Sequence, residues 1–341
     1  MGKKGILLVN LGTPDSPEKS DVKRYLDQFL MDGRVIDINP IGRNLLVRGI
    51  IIPKRYKNSA QIYKEIWLEE GSPLLVYGES LKTQLAEQLG EDYHVELAMR
   101  YQNPSVEEAL EKFQHLNLDS ITIVPLFPQY ASATTGSIHQ LVMEVVSQWL
   151  IIPPLRFINN YCDHPGMVKI FADNARKHLQ TENWDHVLFS YHGVPQRQMK
   201  KADVSKKHCL VVEDCCKTYQ ESNKFCYTAQ CYQTTKAIAT ELGLAENEYT
   251  LCFQSRLGKE PWMQPYTSTV LEQLAKNGVK RILVLSPAFV ADCIETIYEI
   301  GVEYQEEFVH FGGEKVQMVE SLNDKPAWVA ALKDIILNHK N

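Results

Sequence analysis

No uninterrupted apolar run in the 341 residues reaches the roughly 20 residues that cross a bilayer, so no segment reads as a membrane-spanning helix. The N-terminal stretch Gly5-Ile6-Leu7-Leu8-Val9-Asn10 is too short for a signal peptide and reads instead as a first buried strand. Surplus positive charge is missing too. With 36 Lys and Arg against 42 Asp and Glu, the net charge of −6 sets nucleic acid aside, because phosphate binding normally shows as a basic patch. There is no low-complexity tract and no short-period repeat. The turn Asn10-Leu11-Gly12-Thr13-Pro14-Asp15 lacks the full Gly-x-Gly-x-x-Gly fingerprint, and no Gly-x-x-x-x-Gly-Lys-Ser/Thr loop occurs, so no nucleotide is required. The expected compartment is the cytoplasm. There the eight cysteines stay reduced and read as metal ligands or core residues, not as disulfides.

What is present is a long chain with 44% hydrophobic residues, enough for two cores. Strand-like runs recur at Ile6–Asn10, His94–Met99, Ser120–Pro125, Val187–Ser190, Tyr249–Gln254 and Arg281–Leu285. Helix-patterned segments fall at 18–31, 75–90, 105–116, 136–149, 166–182, 231–243, 265–278, 291–309 and 326–338. This alternation predicts an α/β fold with a doubly wound parallel sheet in each half. Ile-Ile-Pro-Pro at 151–154 marks the crossover, giving domains 1–152 and 153–325, with a last helix, 326–341, returning to the first. Segment 41–56 is apolar, punctuated by Arg and Lys, and free of carboxylates. It reads either as the lip of an apolar ligand's entrance or as a buried helix.

Val187-Leu188-Phe189-Ser190-Tyr191-His192-Gly193-Val194-Pro195 places one histidine where an apolar strand breaks into a Gly-Pro loop. Ligands of open α/β sheets bind at that edge, and an imidazole there suits proton abstraction or metal ligation near neutral pH. A lone loop histidine is as often a surface residue; its placement carries the reading. After the strand 281–285 come Asp292, Glu295, Glu299, Glu303 and Glu306, which on a regular helix share about one quarter of the circumference. For Glu303 and Glu306 an ordinary amphipathic surface is the better reading, because Ile300, Tyr304 and Phe308 occupy the other side. Asp292 and Glu295 read as cleft carboxylates able to pass on a divalent cation, with Glu299 between the two cases. Small and hydroxyl residues at 129–137 offer backbone amides to an anion. Arg100, Tyr101, Tyr130 and Trp262 together suit a large, planar, anionic ligand. Cys209, Cys215, Cys216, Cys226 and Cys231 crowd one polar segment without a Cys-x-x-Cys pair, leaving structural zinc, a [2Fe–2S] cluster or reduced buried thiols open.

Ser190-Tyr191-His192-Gly193-Val194-Pro195 resembles ferrochelatase, as do Phe253-Gln254-Ser255-Arg256-Leu257-Gly258 with Pro261-Trp262 and Phe289-Val290-Ala291-Asp292-Cys293-Ile294-Glu295-Thr296. So does Val9-Asn10-Leu11-Gly12-Thr13-Pro14, and the blocks keep their order from about residue 5 to about 335. The resemblance implies two Rossmann-like domains with a porphyrin cleft between them, and insertion of Fe²⁺ into protoporphyrin IX to give protohaem and two protons. It makes His192 the metal and proton-transfer histidine, Glu295 its acidic counterpart, and Asp292 and Glu299 accessory carboxylates. Arg55, Tyr63, Arg100, Tyr101, Tyr130, Ser255 and Trp262 fall on positions that line or approach the macrocycle. Two departures stand out. Cys293 occupies a position where some relatives carry histidine, and a cysteine-bearing insert, about 203–226, replaces a short loop after the histidine motif. Because Cys231 lies in ordinary family sequence beyond the insert, the favoured ligand set for a cluster or zinc is Cys209, Cys215, Cys216 and Cys226.

The partners implied are protoporphyrin IX and ferrous iron, with peripheral membrane contact and no obligate protein partner. The competing readings are a non-catalytic tetrapyrrole- or haem-binding protein, a chelatase acting on coproporphyrin III, and a Cys-His hydrolase using Cys293 and His192.

Overall fold

The structure, a computed structural model, describes residues 2–338; Met1 and the last three residues of the expected helix 326–341 lie outside it. Contacts divide the chain into two units, one comprising Met1–Phe127, Ala131–Asn160 and Asp324–Asn341, the other Pro128–Tyr130 and Tyr161–Asn323. The main crossing lies beyond Ile-Ile-Pro-Pro, because Leu155–Phe157 still pairs with the first sheet.

In the first unit β1 (Lys4–Gly12), β2 (Tyr93–Tyr101), β3 (Ser120–Pro125) and β4 (Leu155–Phe157) form a parallel sheet in the order β2-β1-β3-β4. Six consecutive residues of β1, Gly5–Asn10, are buried, as expected of a central parallel strand covered on both faces. Leu7, Val9, Leu110, Phe113, Ile121 and Ile123 are among the side chains of its core. Burying each such large apolar side chain is worth about 1.5–3 kcal/mol. Gly12 ends β1 at φ 129°, where a Cβ would lie 2.1 Å from the Tyr101 carbonyl oxygen, so no other residue lets β1 and β2 close here. The helix Pro326–Asn338 belongs to this unit and buries Trp328 completely.

The second unit repeats the arrangement. Its strands β5 (His186–His192), β6 (Tyr249–Gln254), β7 (Arg281–Leu285) and β8 (Lys315–Met318) are parallel and ordered β6-β5-β7-β8. Two parallel sheets flanked by helices thus match the fold class read from the sequence. The strands that escaped that reading, β4 and β8, are short edge strands of three and four residues with too little pattern to read.

Segment 41–56 is helical, from Pro40 through a π-helical turn at Val47–Ile51 into Ile52–Ile66. It is not simply buried: Val47 and Ile52 face the interior, while Ile41 and Leu45 are 76% and 68% exposed. The expected helix 291–309 is broken into Ile294–Ile297, a π-helical stretch Glu299–Tyr304, and Gln305–His310. The extra residue per turn shifts the phase, so the acidic side chains do not continue as the single stripe that 3.6-residue spacing predicts.

Candidate active site

The order β6-β5-β7-β8 makes the gap between the carboxyl ends of β5 and β7 the switch point of the second sheet, where successive crossovers run in opposite directions. His192 is the last residue of β5, and the loop after β7 delivers Asp292, Cys293 and Glu295. Histidine and acidic segment therefore meet the same edge for a topological reason.

His192 is half-buried, and its Nδ1 lies 2.7 Å from the Gly193 carbonyl oxygen. A carbonyl only accepts, so Nδ1 carries the hydrogen and the neutral ring keeps its lone pair on Nε2. Tyr227 fixes the backbone by donating its hydroxyl to the His192 carbonyl at 2.9 Å. Gly193 allows close packing behind the ring, since a Cβ there would come within 2.8 Å of the Gln254 carbonyl and 3.1 Å of the Trp262 ring. The Trp262 ring centroid lies 6.3 Å from that of His192, and its buried indole N–H has no hydrogen-bond partner among the described residues.

Burial pushes the Glu295 carboxyl above its ordinary range, opposed by a hydrogen bond from Cys293 and by the field of His192. Histidine and carboxylate thus sense each other electrostatically. Glu299 is held more tightly: it accepts Ser255 Oγ at 2.7 Å, Gln254 Nε2 at 3.0 Å and Tyr304 Oη at 3.0 Å. Gln254 also donates to the Glu295 carbonyl at 3.0 Å and accepts from Ser190 at 2.7 Å, tying β5, β6 and the acidic segment together. Ser255 sits at φ 63°, an uncommon conformation for a non-glycine residue and typical of functional sites.

Asp292 differs from the expected open cleft carboxylate. It is 5% exposed; Oδ1 accepts Thr296 Oγ1 and the Ser321 amide, each at 3.1 Å, and Oδ2 accepts Asn323 Nδ2 at 2.8 Å. It clamps the loop that carries Glu295. Cys293 is also buried, and its thiol is pushed well up by burial and by Glu295, so it is not the thiolate a Cys-His hydrolase needs. Glu303 and Glu306 are exposed.

Of the expected ligand-lining residues, Arg55 is exposed, whereas Tyr63 is buried against Tyr25 and Trp67. Tyr130 is half-buried, and its amide donates to Gln230 Oε1 at 2.6 Å. Arg100 and Tyr101 end β2, and both bind Asp32. Burial works to raise the Asp32 carboxyl, but hydrogen bonds from Ser137, the Arg34 amide and Tyr101, with the charge of Arg100, hold it below its ordinary value. Sequence reasoning missed Asp32, Gln254, Tyr227 and Tyr304 as site residues. Gln254 lies inside a motif already singled out, while nothing in local spacing marks Asp32.

In the insert, Sγ of Cys215 lies 3.4 Å from that of Cys216, which lies 3.9 Å from that of Cys226. Those separations are close to the edge of a tetrahedral thiolate set, about 3.8 Å for metal–sulfur bonds of about 2.3 Å. Cys226 precedes the helix Tyr227–Leu242, and contact with Cys216 together with the Ala229 and Thr228 amides lowers its thiol to about 6. Burial pushes Cys209 up to about 12, helped by neighbouring Cys226 and Cys215. Cys231 is fully buried within that helix. Among the described residues, however, no three His, Cys, Asp or Glu side chains stand in metal-holding geometry. No helix among them is long and apolar enough to cross a membrane.

Comparison with known proteins accords with this site. The family model described as ferrochelatase matches residues 3–340. A ferrochelatase of Bdellovibrio bacteriovorus is 42% identical over 336 residues, covering 98% of this chain and 99% of the relative. One from Pseudomonas putida is 43% identical over 337 residues, again covering 98% and 99%. Among solved structures, SirB from Bacillus subtilis with Fe³⁺ aligns with a TM-score of 0.54 at 12% identity, covering 98% of this chain and 94% of that one, a likeness of fold alone. CbiX, described as the terminal enzyme of siroheme biosynthesis in denitrifying bacteria, aligns with a TM-score of 0.50 at 12% identity over 99% and 100%. With matching motifs, near full-length identity above 40% and a chelatase-like fold, the chain belongs to the ferrochelatase family, lyases of haem biosynthesis that insert ferrous iron into a porphyrin.

Proposed function

We propose that the protein inserts Fe²⁺ into protoporphyrin IX, releasing two protons and protohaem, with His192 and Glu295 as its central groups. The observation that carries this assignment is the switch-point pairing: an imidazole with its lone pair on Nε2, and a carboxylate raised by burial, at one sheet edge.

Insertion requires iron to shed water, two pyrrole N–H groups to lose protons, and the nitrogen lone pairs to tilt out of the ring plane. Nε2 of His192 accepts a proton or ligates iron, while its Nδ1–H remains fixed on Gly193. Glu295 handles the complementary traffic, its raised affinity for protons suiting it to take up and release one. Glu299 is held in place by three donors, and Asp292 acts as a clamp. Arg55, Tyr63, Arg100, Tyr101, Tyr130, Ser255 and Trp262 are assigned to the porphyrin site: the partly exposed rings of Tyr130 and Trp262 suit its flat faces, while the buried Tyr63 and Tyr101 support the site from behind. The exposed apolar and basic residues of 41–56 suit peripheral contact with a membrane surface, and the cytoplasm remains the compartment of this reading.

Cys209, Cys215, Cys216 and Cys226 would be the ligands of a [2Fe–2S] cluster or a zinc ion cross-linking the insert; only Cys215, Cys216 and Cys226 bring their sulfurs together, and the described residues hold no metal-binding geometry. No step of insertion passes through it. An anaerobic visible spectrum with metal analysis separates cluster from zinc and from free thiols.

The function is tested by mixing protein, Fe²⁺ and protoporphyrin IX without oxygen and following the porphyrin absorbance. Turnover is expected; binding of porphyrin without turnover would replace chelation by the tetrapyrrole-carrier reading.

A further inference from the structure

A charged hub closes the carboxyl edge of the first sheet. Asp32 lies just past the helix Lys19–Leu30, and its Oδ2 accepts Ser137 Oγ at 2.5 Å, Tyr101 Oη at 2.8 Å and Arg100 Nη2 at 2.8 Å. Its Oδ1 accepts the Arg34 amide at 2.7 Å. Arg100 also donates from Nε to Ser137 at 2.6 Å, and its guanidinium lies 4.7 Å from the centre of the Tyr101 ring. The Arg100 and Asp32 side chains are only 17% and 9% exposed, so water screens the pair weakly.

This geometry changes what Arg100 offers a ligand. An unpaired guanidinium at a sheet edge attracts carboxylates, but one that already faces a buried carboxylate belongs to a pair of zero net charge. A further carboxylate approaching the hub must shed water and meets the negative charge of Asp32, which already engages the Arg100 guanidinium.

We propose that Asp32 is a specificity-determining residue acting through Arg100: by neutralising the guanidinium it biases the enzyme towards porphyrins with few carboxylates and against those with extra ones. The inference rests on the assignment of Arg100 to the porphyrin site.

The test compares kcat/KM for Fe²⁺ insertion into coproporphyrin III, with four carboxylates, and deuteroporphyrin IX, with two. In Asp32→Asn the released cation raises the four-to-two ratio about tenfold. In Arg100→Gln the remaining anion lowers it, and Arg100→Lys, which keeps the charge, holds it within about threefold of wild type. A purely structural role lowers both rates without moving the ratio in opposite directions. An unchanged ratio, or shifts of the same sign in Asp32→Asn and Arg100→Gln, overturns the proposal. Where a variant loses turnover, the ratio of dissociation constants from porphyrin fluorescence titration gives the same reading, and if Asp32→Asn does not fold, Arg100→Gln against Arg100→Lys decides. Failure of the wild type to metallate either porphyrin is a different result, which overturns the proposed function itself.

Discussion

The two sheets share one strand order, β2-β1-β3-β4 and β6-β5-β7-β8, yet their carboxyl edges are furnished in opposite ways. At the first edge donors and acceptors satisfy one another: Arg100, Tyr101 and Ser137 all converge on Asp32. At the second, the Trp262 indole N–H has no hydrogen-bond partner among the described residues, His192 keeps the lone pair of its neutral ring on Nε2, and Glu295 keeps a raised affinity for protons. A saturated network holds shape, whereas groups with unused capacity can act on a ligand. Equal topology therefore does not mean equal duty: under the proposed function the second edge would serve chemistry and the first recognition.

Removing the imidazole should break the chemical edge outright. His192→Ala is expected to lower kcat for iron insertion by about 10³-fold or more while porphyrin binding, followed by fluorescence, survives. Near-normal turnover would remove His192 from the mechanism. Glu295→Gln comes next, with kcat down about 10²-fold. It also carries a pH signature. Because the folded-state pKa of Glu295 is raised, its contribution to stability is fully present below the ordinary value of 4.5 and is lost as pH rises through the folded value. Urea unfolding should therefore show Glu295→Gln gaining on wild type as pH rises above about 4.5, with the gain absent in more acidic buffer; a pH-independent difference would mean that burial does not raise this carboxyl.

Asp292→Asn sharpens the contrast between clamp and catalyst. It puts an NH₂ group among donors in a buried site, so stability is expected to drop by about 2–4 kcal/mol in urea titrations. The pH dependence of the remaining activity should keep its shape; a shifted profile would return Asp292 to the proton path. The smallest effect is expected at Glu306, an exposed side chain, where replacement by Gln should change stability by less than about 0.5 kcal/mol and leave kcat/KM unaltered.

Much of this contrast was visible in the sequence, for identifiable reasons. The central strands β1, β5 and β7 are continuous apolar runs, which is what burial on both faces requires, and each ends in a loop rich in Gly or Pro. His192 could be placed at a strand end because it closes its run, and Glu295 near one because only a single loop separates it from its run. Asp32 could not, since its partners Arg100, Tyr101 and Ser137 lie 68, 69 and 105 residues away. The π-helical turn at Glu299–Tyr304 was equally hidden. Regular spacing forecast one acidic stripe, whereas the fold holds Glu299 with Gln254, Ser255 and Tyr304.

Sequence alone settled the strand–helix alternation, the parallel sheets, the family resemblance and the residue types available for proton and metal chemistry, because these depend on local pattern and short motifs. Tertiary structure decided which of those side chains remain available. Asp292 and Glu295 are three positions apart and chemically alike, yet one is locked by Thr296, Ser321 and Asn323 while the other answers to burial and to His192. A carboxylate's role follows from the donors and the solvent around it, and residues distant along the chain supply both.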